Sequence, residues 1–208
     1  VMYDLLFRSV SATLMELAND PKHLGARIGA IGILHTWGQN LMDHPHVHCI
    51  VTGGGLSSDG DRWVSCRKGF FIPVLVMSAL FRGKFLALLK KCFTSDDLVF
   101  PGSISHLKQP GDFKIFRKQL YQKKWIVYCK PPFDGAKGVL QYLGRYTHRI
   151  AISNNRILTN QDGNVSFLWR DYADDNRKKT MTLKADEFIR RFLLHVLPAR
   201  YVRIRHFG

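Results

Sequence analysis

The stretch HPHVHCIV, His44 to Val51, constrains the fold of this chain more than any other segment. Apolar and polar positions alternate through it, which is the period of a strand with one buried face. Val47, Cys49 and Val51 then point one way. His46 and His48 point the other, about 6.5–7 Å apart along the strand. Upstream, Ile28 to Leu34 (IGAIGIL) is small and apolar and reads as a buried partner strand. A polar stretch of about ten residues with Gly38, Asn40 and Pro45 separates the two, so they are expected to form a hairpin, closed by Gly53-Gly54-Gly55.

The remaining pattern mixes helices with short strands. Leu5, Leu6, Val10, Leu14 and Leu17 recur at helical spacing and stop at Asn19-Asp20-Pro21. Pro73 to Phe93 carries a helical pattern with basic residues on one side, read as a surface helix packing its Leu/Phe face inward. Asp112–Tyr121 is a second short helix, and 70–122 is expected to form a helical insertion. Trp125–Tyr128 reads as a strand, Asp134–Thr147 as a helix, and Arg149–Ser153, Arg156–Thr159 and Val165–Trp169 as strands. Lys184–Val196 is a final helix stopped by Pro198. Hairpin-like neighbours without strict β-α-β alternation imply an α+β fold around an antiparallel sheet.

Charge narrows the function. The 208 residues carry 31 Lys+Arg against 16 Asp+Glu, a net +15, and an excess that large serves a polyanion, nucleic acid above all. No apolar run approaches the roughly 18–20 residues that span a bilayer. The four cysteines are scattered without a C-x-x-C pair, which argues against a disulfide scaffold or zinc finger and for a reducing, cytoplasmic setting.

Two clusters can carry chemistry. His46 and His48, on one strand face, can share a divalent ion, although a bare H-x-H is also common on solvated faces. Gln39, seven residues before His46 across the expected turn, can bring an amide oxygen to the same face. Two nitrogens and a neutral oxygen leave positions open for a phosphate, which suits Mg²⁺ or Mn²⁺. The second cluster is QYLGRYTHR, Gln141–Arg149. Tyr142 and Tyr146 stand at i and i+4 and share a helix face beside Arg145, His148 and Arg149. An isolated Y-x-x-x-Y is usually core packing. In a basic chain with an H-x-H strand, the same pair can serve as nucleophiles.

The segments LHTWGQN, HPHVHCIVTGGGL and YLGRYTHRIAIS, with KPPF at 130–133 and EFIRRFLLHVLP at 187–198, resemble the two-tyrosine HUH transposases of rolling-circle bacterial insertion sequences, relatives of Helitron and Rep nucleases. The resemblance implies an HUH-endonuclease-like sheet flanked by helices, His46 and His48 as metal ligands with Gln39 as the third, and Tyr142 and Tyr146 as paired nucleophiles. It further implies cleavage and strand transfer of single-stranded or hairpin DNA ends through a 5′-phosphotyrosine, with a divalent cation, on the bacterial nucleoid. Family members also carry a cysteine-rich zinc-binding N-terminal region and a C-terminal extension, so residues 1–208 are expected to be a single catalytic domain without them. Arg145, Arg149, Arg200, Arg203 and Arg205 are the expected phosphate contacts, with Arg177-Lys178-Lys179 a further basic run and Trp37, Trp63 and Trp169 able to stack bases. Two other readings fit parts of the pattern: a nucleic-acid-binding domain without catalysis, and an HUH replication initiator or relaxase.

Overall fold

The structure, a computed structural model, describes residues 1–67, 71–133, 135–147 and 151–208, the side chains of 145–147 excepted. Helix α1 (Met2–Asn19) is followed by strands β1 (Arg27–Trp37), β2 (Asp43–Leu56) and β3 (Trp63–Ser65). Helix α2 (Val74–Thr94), a 3-10 helix (Gly102–Lys108) and α3 (Pro110–Gln122) come next, then α4 (Gly135–Thr147). Strands β4 (Ile157–Gln161), β5 (Asn164–Asp171) and β6 (Arg177–Lys184), helix α5 (Ala185–Leu193) and strand β7 (Ile204–Phe207) complete the order. One sheet runs β3-β2-β1-β7 and the other β4-β5-β6; the fold is α+β with two antiparallel sheets. No helix among the described residues is long and apolar enough to cross a membrane.

The chain divides into two compact units that interleave in sequence. The first comprises Val1–Gly32, Cys49–Asp134 and His206–Gly208; the second comprises Ile33–His48 and Gly135–Arg205.

In the first unit, Leu14, Leu17 and Ala18 of α1 bury against Ile28 and Ala30 of β1 and Met77 of α2. The helical spacing that predicts α1 is therefore the spacing that fills this core. Its two buried hydroxyls are satisfied within the helix, Ser9 donating to the Leu5 carbonyl and Thr13 to that of Ser9, both at 2.7 Å. A second cluster joins Leu5 to Phe85, Leu86 and Leu89 of α2 and Phe113 of α3, so α2 does turn its Leu/Phe face inward. The expected strand at 125–128 does not form: no ladder among the described residues pairs it, and Ile126 and Tyr128 are exposed while Trp125 and Val127 pack on the cores. Nor do the three glycines form a turn. They lie inside β2, where Gly54 and Gly55 let other groups approach closer than a Cβ allows.

In the second unit, Asp162 and Gly163 both take positive φ (50° and 69°) and join β4 to β5 in a two-residue hairpin, the combination that matches strand twist. Strands β5 and β6 pair from Asn164↔Lys184 to Asp171↔Arg177. The basic run thus becomes β6, with Lys179 bridged to Asp171 and Asp174 at 2.8 Å each. Leu41, Ala151, Ile152 and Phe167 form the core, with Phe188 of α5 packed on it. The strand expected at 149–153 is not found at its described end, since Ala151 and Ile152 are buried in a bend; residues 149 and 150 lie outside the described residues.

Candidate functional site

The second unit gathers the chemistry-bearing side chains. Strand β1 ends at Trp37, and a turn closed by the Gly38 N–H on the Met42 carbonyl (3.0 Å) sends the chain back into β2. This turn is shorter than the polar stretch suggested. It brings the start of β2, with His46 and His48, beside the end of β1, with His35. The ligand-capable nitrogens of these three imidazoles all lie within 4.8 Å of one another.

The hydrogen bonds specify how the rings are held. Nδ1 of His46 donates to the His44 carbonyl at 2.6 Å, which leaves its Nε2 with a free lone pair. That Nε2 lies 3.1 Å from Nε2 of His48, and Nδ1 of His48 lies 3.0 Å from the hydroxyl of Tyr142 on α4. His35 is buried, stacked on Trp37 at 4.8 Å between centroids and 14° between planes, and it meets His48 edge-on at 4.6 Å. Burial is the main reason the His46 pKa falls below its ordinary value, outweighing the bond to His44. A neutral imidazole is the form that coordinates a metal.

The donor set fits a divalent cation. Three imidazole nitrogens converge, with Nε2 of His46 and His48 nearly in contact, an arrangement that a shared cation would relieve. All-nitrogen ligation favours Mn²⁺ and the later first-row ions over Mg²⁺, which prefers oxygen.

Three side chains distant in sequence fix the turn that carries these strands. Arg156 donates through Nη2 to the Gln39 carbonyl (2.5 Å), Arg191 through Nη1 to that of Asn40 (3.2 Å), and His195 through Nε2 to that of Leu41 (3.0 Å). With its proton on Nε2, His195 accepts from the Thr36 hydroxyl at Nδ1 (3.2 Å). Its ring also meets Trp37 edge-on at 6.0 Å, so the chain of contacts runs His195–Trp37–His35. Glu187 holds Arg191 and Arg190 in place through hydrogen bonds, and those bonds pull its carboxyl pKa down to about 2.

The residues expected from sequence distribute unevenly. His46, His48 and Tyr142 come together. Tyr146 follows Tyr142 by one turn of α4, but its side chain and that of Arg145 lie outside the described residues, as do His148 and Arg149. Gln39 sits in the turn, and its amide nitrogen donates to the Tyr172 hydroxyl at 3.2 Å. Arg200 is exposed, Arg203 accepts from the Leu34 N–H through its carbonyl, and Arg205 reaches the hydroxyl of Tyr201 at 3.3 Å. Sequence reasoning missed His35. Its signal was present: His35 and Trp37 alternate with Thr36, as His46 and His48 alternate with Val47, and a five-residue turn brings the two pairs together.

Comparison with known proteins gives the following. The model of the family Y2_Tnp, described as "Putative transposase", matches residues 29–208. Over all 208 residues the chain is 52% identical to "Putative transposase y4qJ" of Sinorhizobium fredii, covering 52% of that protein. It is 26% identical to "Transposase for insertion sequence element IS801" of Pseudomonas savastanoi pv. phaseolicola, covering 48% of it. The chain therefore spans about half the length of the curated relatives it matches. No solved structure matches it.

Proposed function

The chain belongs to this transposase family, and from that premise we propose that it cuts and rejoins single-stranded DNA ends by the rolling-circle, two-tyrosine route. The observation that carries the reading is the contact between Tyr142 and a histidine of the metal-capable cluster: the phenol oxygen stands 3.0 Å from Nδ1 of His48, whose Nε2 faces His46.

His35, His46 and His48 are the residues that hold the cation, with His35 in the place that sequence reasoning gave to Gln39. When bound, a divalent ion supplies charge neutralisation at the scissile phosphate. The protein's own groups do the rest. With its Nε2 lone pair directed at the cluster, His48 carries its proton on Nδ1 and donates to the Tyr142 oxygen, which keeps that oxygen beside the phosphate. In-line attack forms a phosphorus–oxygen bond to tyrosine and breaks the bond to the 3′-oxygen. The phenol loses one proton and the departing oxygen gains one, so the step is proton-neutral. The bond energy is retained in a 5′-phosphotyrosine, and the second tyrosine, Tyr146, serves the second cleavage. Arg145, Arg149, Arg200, Arg203 and Arg205 contact backbone phosphates, and the +15 charge draws nucleoid DNA to the protein in the cytoplasm.

The test is incubation of labelled single-stranded DNA from a candidate element end with Mn²⁺, followed by a denaturing gel. A covalent protein–DNA adduct is expected from the wild type. Each of Tyr142→Phe and Tyr146→Phe should block one of two cleavages, and the double variant should form none. An adduct that persists in the double variant overturns the reading, and binding with no cleavage by the wild type leaves a DNA-binding domain without catalysis.

A further inference from the structure

The first unit contains a sheet face that the catalytic reading does not use. Its opposite face is covered by α1, where Ile28 and Ala30 of β1 are buried and Val51 of β2 packs against them. By strand alternation, Arg27 and Gly29 of β1 and Thr52 and Gly54 of β2 look the other way. The contacts agree: a Cβ on Gly29 would lie 3.5 Å from Cγ2 of Thr52. Thr52 is satisfied locally, accepting from the Gly29 N–H at 3.2 Å and donating to the Gly54 carbonyl at 2.5 Å.

On this small-residue surface stands one large ring. Trp63 of β3 is 56% exposed, yet it is not loosely placed. Its Nε1 and Cε2 lie 2.7 and 2.8 Å from where a Cβ on Gly54 would be, so the indole rests on the Gly54 backbone in space that only glycine leaves open. Arg27 reaches toward the β2–β3 turn, with Nη2 3.7 Å from the Cβ position of Gly60. The carboxylate of Asp59 in that turn is engaged by the Ser57 hydroxyl and the Asp61 N–H.

We propose that this face of the first unit, with Trp63 seated on Gly54 and Arg27 on the same face, binds single-stranded DNA by stacking an unpaired base on the indole and pairing a phosphate with the Arg27 guanidinium. The proposal rests on DNA being the substrate. An ordered aromatic ring that is over half exposed gives a base a platform without an ordering cost, and the glycines and Thr52 let a second flat ring lie close to the sheet. A protein partner would call for a contiguous apolar patch. Here the indole and its cross-strand partner Leu56 stand among small residues and Arg27, an apolar area of two side chains. A duplex keeps its base faces stacked on each other and offers the indole nothing to cover.

The test is fluorescence anisotropy of the full chain with a short labelled oligothymidylate and with a duplex of equal length. Trp63→Ala should weaken single-strand binding about tenfold, and Trp63→Phe, which keeps a ring, by no more than about threefold. Duplex binding should not change. Equal single-strand affinity in Trp63→Ala, or an equal loss on duplex, overturns the proposal. If Trp63→Ala fails to fold, photo-cross-linking of a 5-iodouracil oligonucleotide to the wild type decides: the cross-linked peptide should contain Trp63, and its absence there overturns the site. The adduct assay run in parallel separates the two readings. A chain that forms the adduct but binds independently of Trp63 loses only this site. A chain that binds through Trp63 without forming an adduct keeps the site and loses the catalytic reading. No single-strand binding at all removes both.

Discussion

Nε2 of His195 donates to the carbonyl of Leu41 across 154 positions of sequence, at 3.0 Å, and the same ring packs edge-on against Trp37. A buried histidine far along the chain thus holds the turn between the two strands that carry the metal-capable imidazoles. The carbonyl can only accept, so the proton sits on Nε2, and the hydroxyl of buried Thr36 lies 3.2 Å from Nδ1.

Replacing His195 by Ala removes two hydrogen bonds and opens a cavity beside Trp37. We expect a loss of about 2–4 kcal/mol in unfolding free energy, measured by urea denaturation. Mn²⁺ affinity should fall as well, because the His35 ring loses the support that reaches it through Trp37. Unchanged metal affinity in a destabilised variant would show that His195 only stabilises.

The choice between His35 and Gln39 as third ligand is open to titration calorimetry with Mn²⁺ or Co²⁺. His35→Ala should lower affinity by at least about 10–100-fold, the range seen even for groups that merely support a ligand. Gln39→Ala should change it little, since that amide is engaged with Tyr172. The reverse ranking would return the role to Gln39.

Glu187 gives an acid limb to stability. Its carboxyl pKa is depressed from 4.5 to about 2 by hydrogen bonds from Arg190 and Arg191, so folding favours the charged form. That contribution is complete above about pH 4.5 and is lost as pH falls toward about 2. The unfolding midpoint of wild type should therefore drop more steeply over this window than that of Glu187→Gln. Parallel curves would mean that solvent screening cancels the effect of these ion pairs.

Neighbouring glycines of β2 should behave in opposite ways. A Cβ on Gly55 would lie 2.3 Å from the Arg27 carbonyl oxygen and 2.6 Å from its carbon, backbone that cannot swing aside. Gly55→Ala should cost about 1–3 kcal/mol or more. At Gly53 nothing lies within 4 Å, and Gly53→Ala should stay within about 0.5 kcal/mol of wild type by thermal denaturation.

Sequence made the local features legible and the distant ones not. The spacing of Leu5, Leu6, Val10, Leu14 and Leu17 announces α1, since Leu14 and Leu17 fall on the face that meets the core, and the H-V-H alternation announces β2. Tyr142 could be placed on a helix from spacing alone, and its contact with His48 follows from where α4 lies. His35 escaped because the turn was read as too long, which left the β1 end unaligned with His46. Trp125–Tyr128 has the composition of a strand but finds no partner, and composition cannot report a missing partner. Arg156, Arg191 and His195 were invisible as turn clamps, since nothing in a chain's local pattern says which distant carbonyl a donor will meet.

The turn between β1 and β2 also imposes an order in time. Its three carbonyls wait for donors 117, 151 and 154 residues further on, so a ribosome must add more than a hundred residues after the turn before the first of them exists. Until then the histidine hairpin is a loop with unmet acceptors, and closing it means ordering all the intervening chain. A copy of the gene interrupted by a stop codon ahead of Arg156 would thus encode His35, His46, His48 and both tyrosines and still lack every donor that holds the turn.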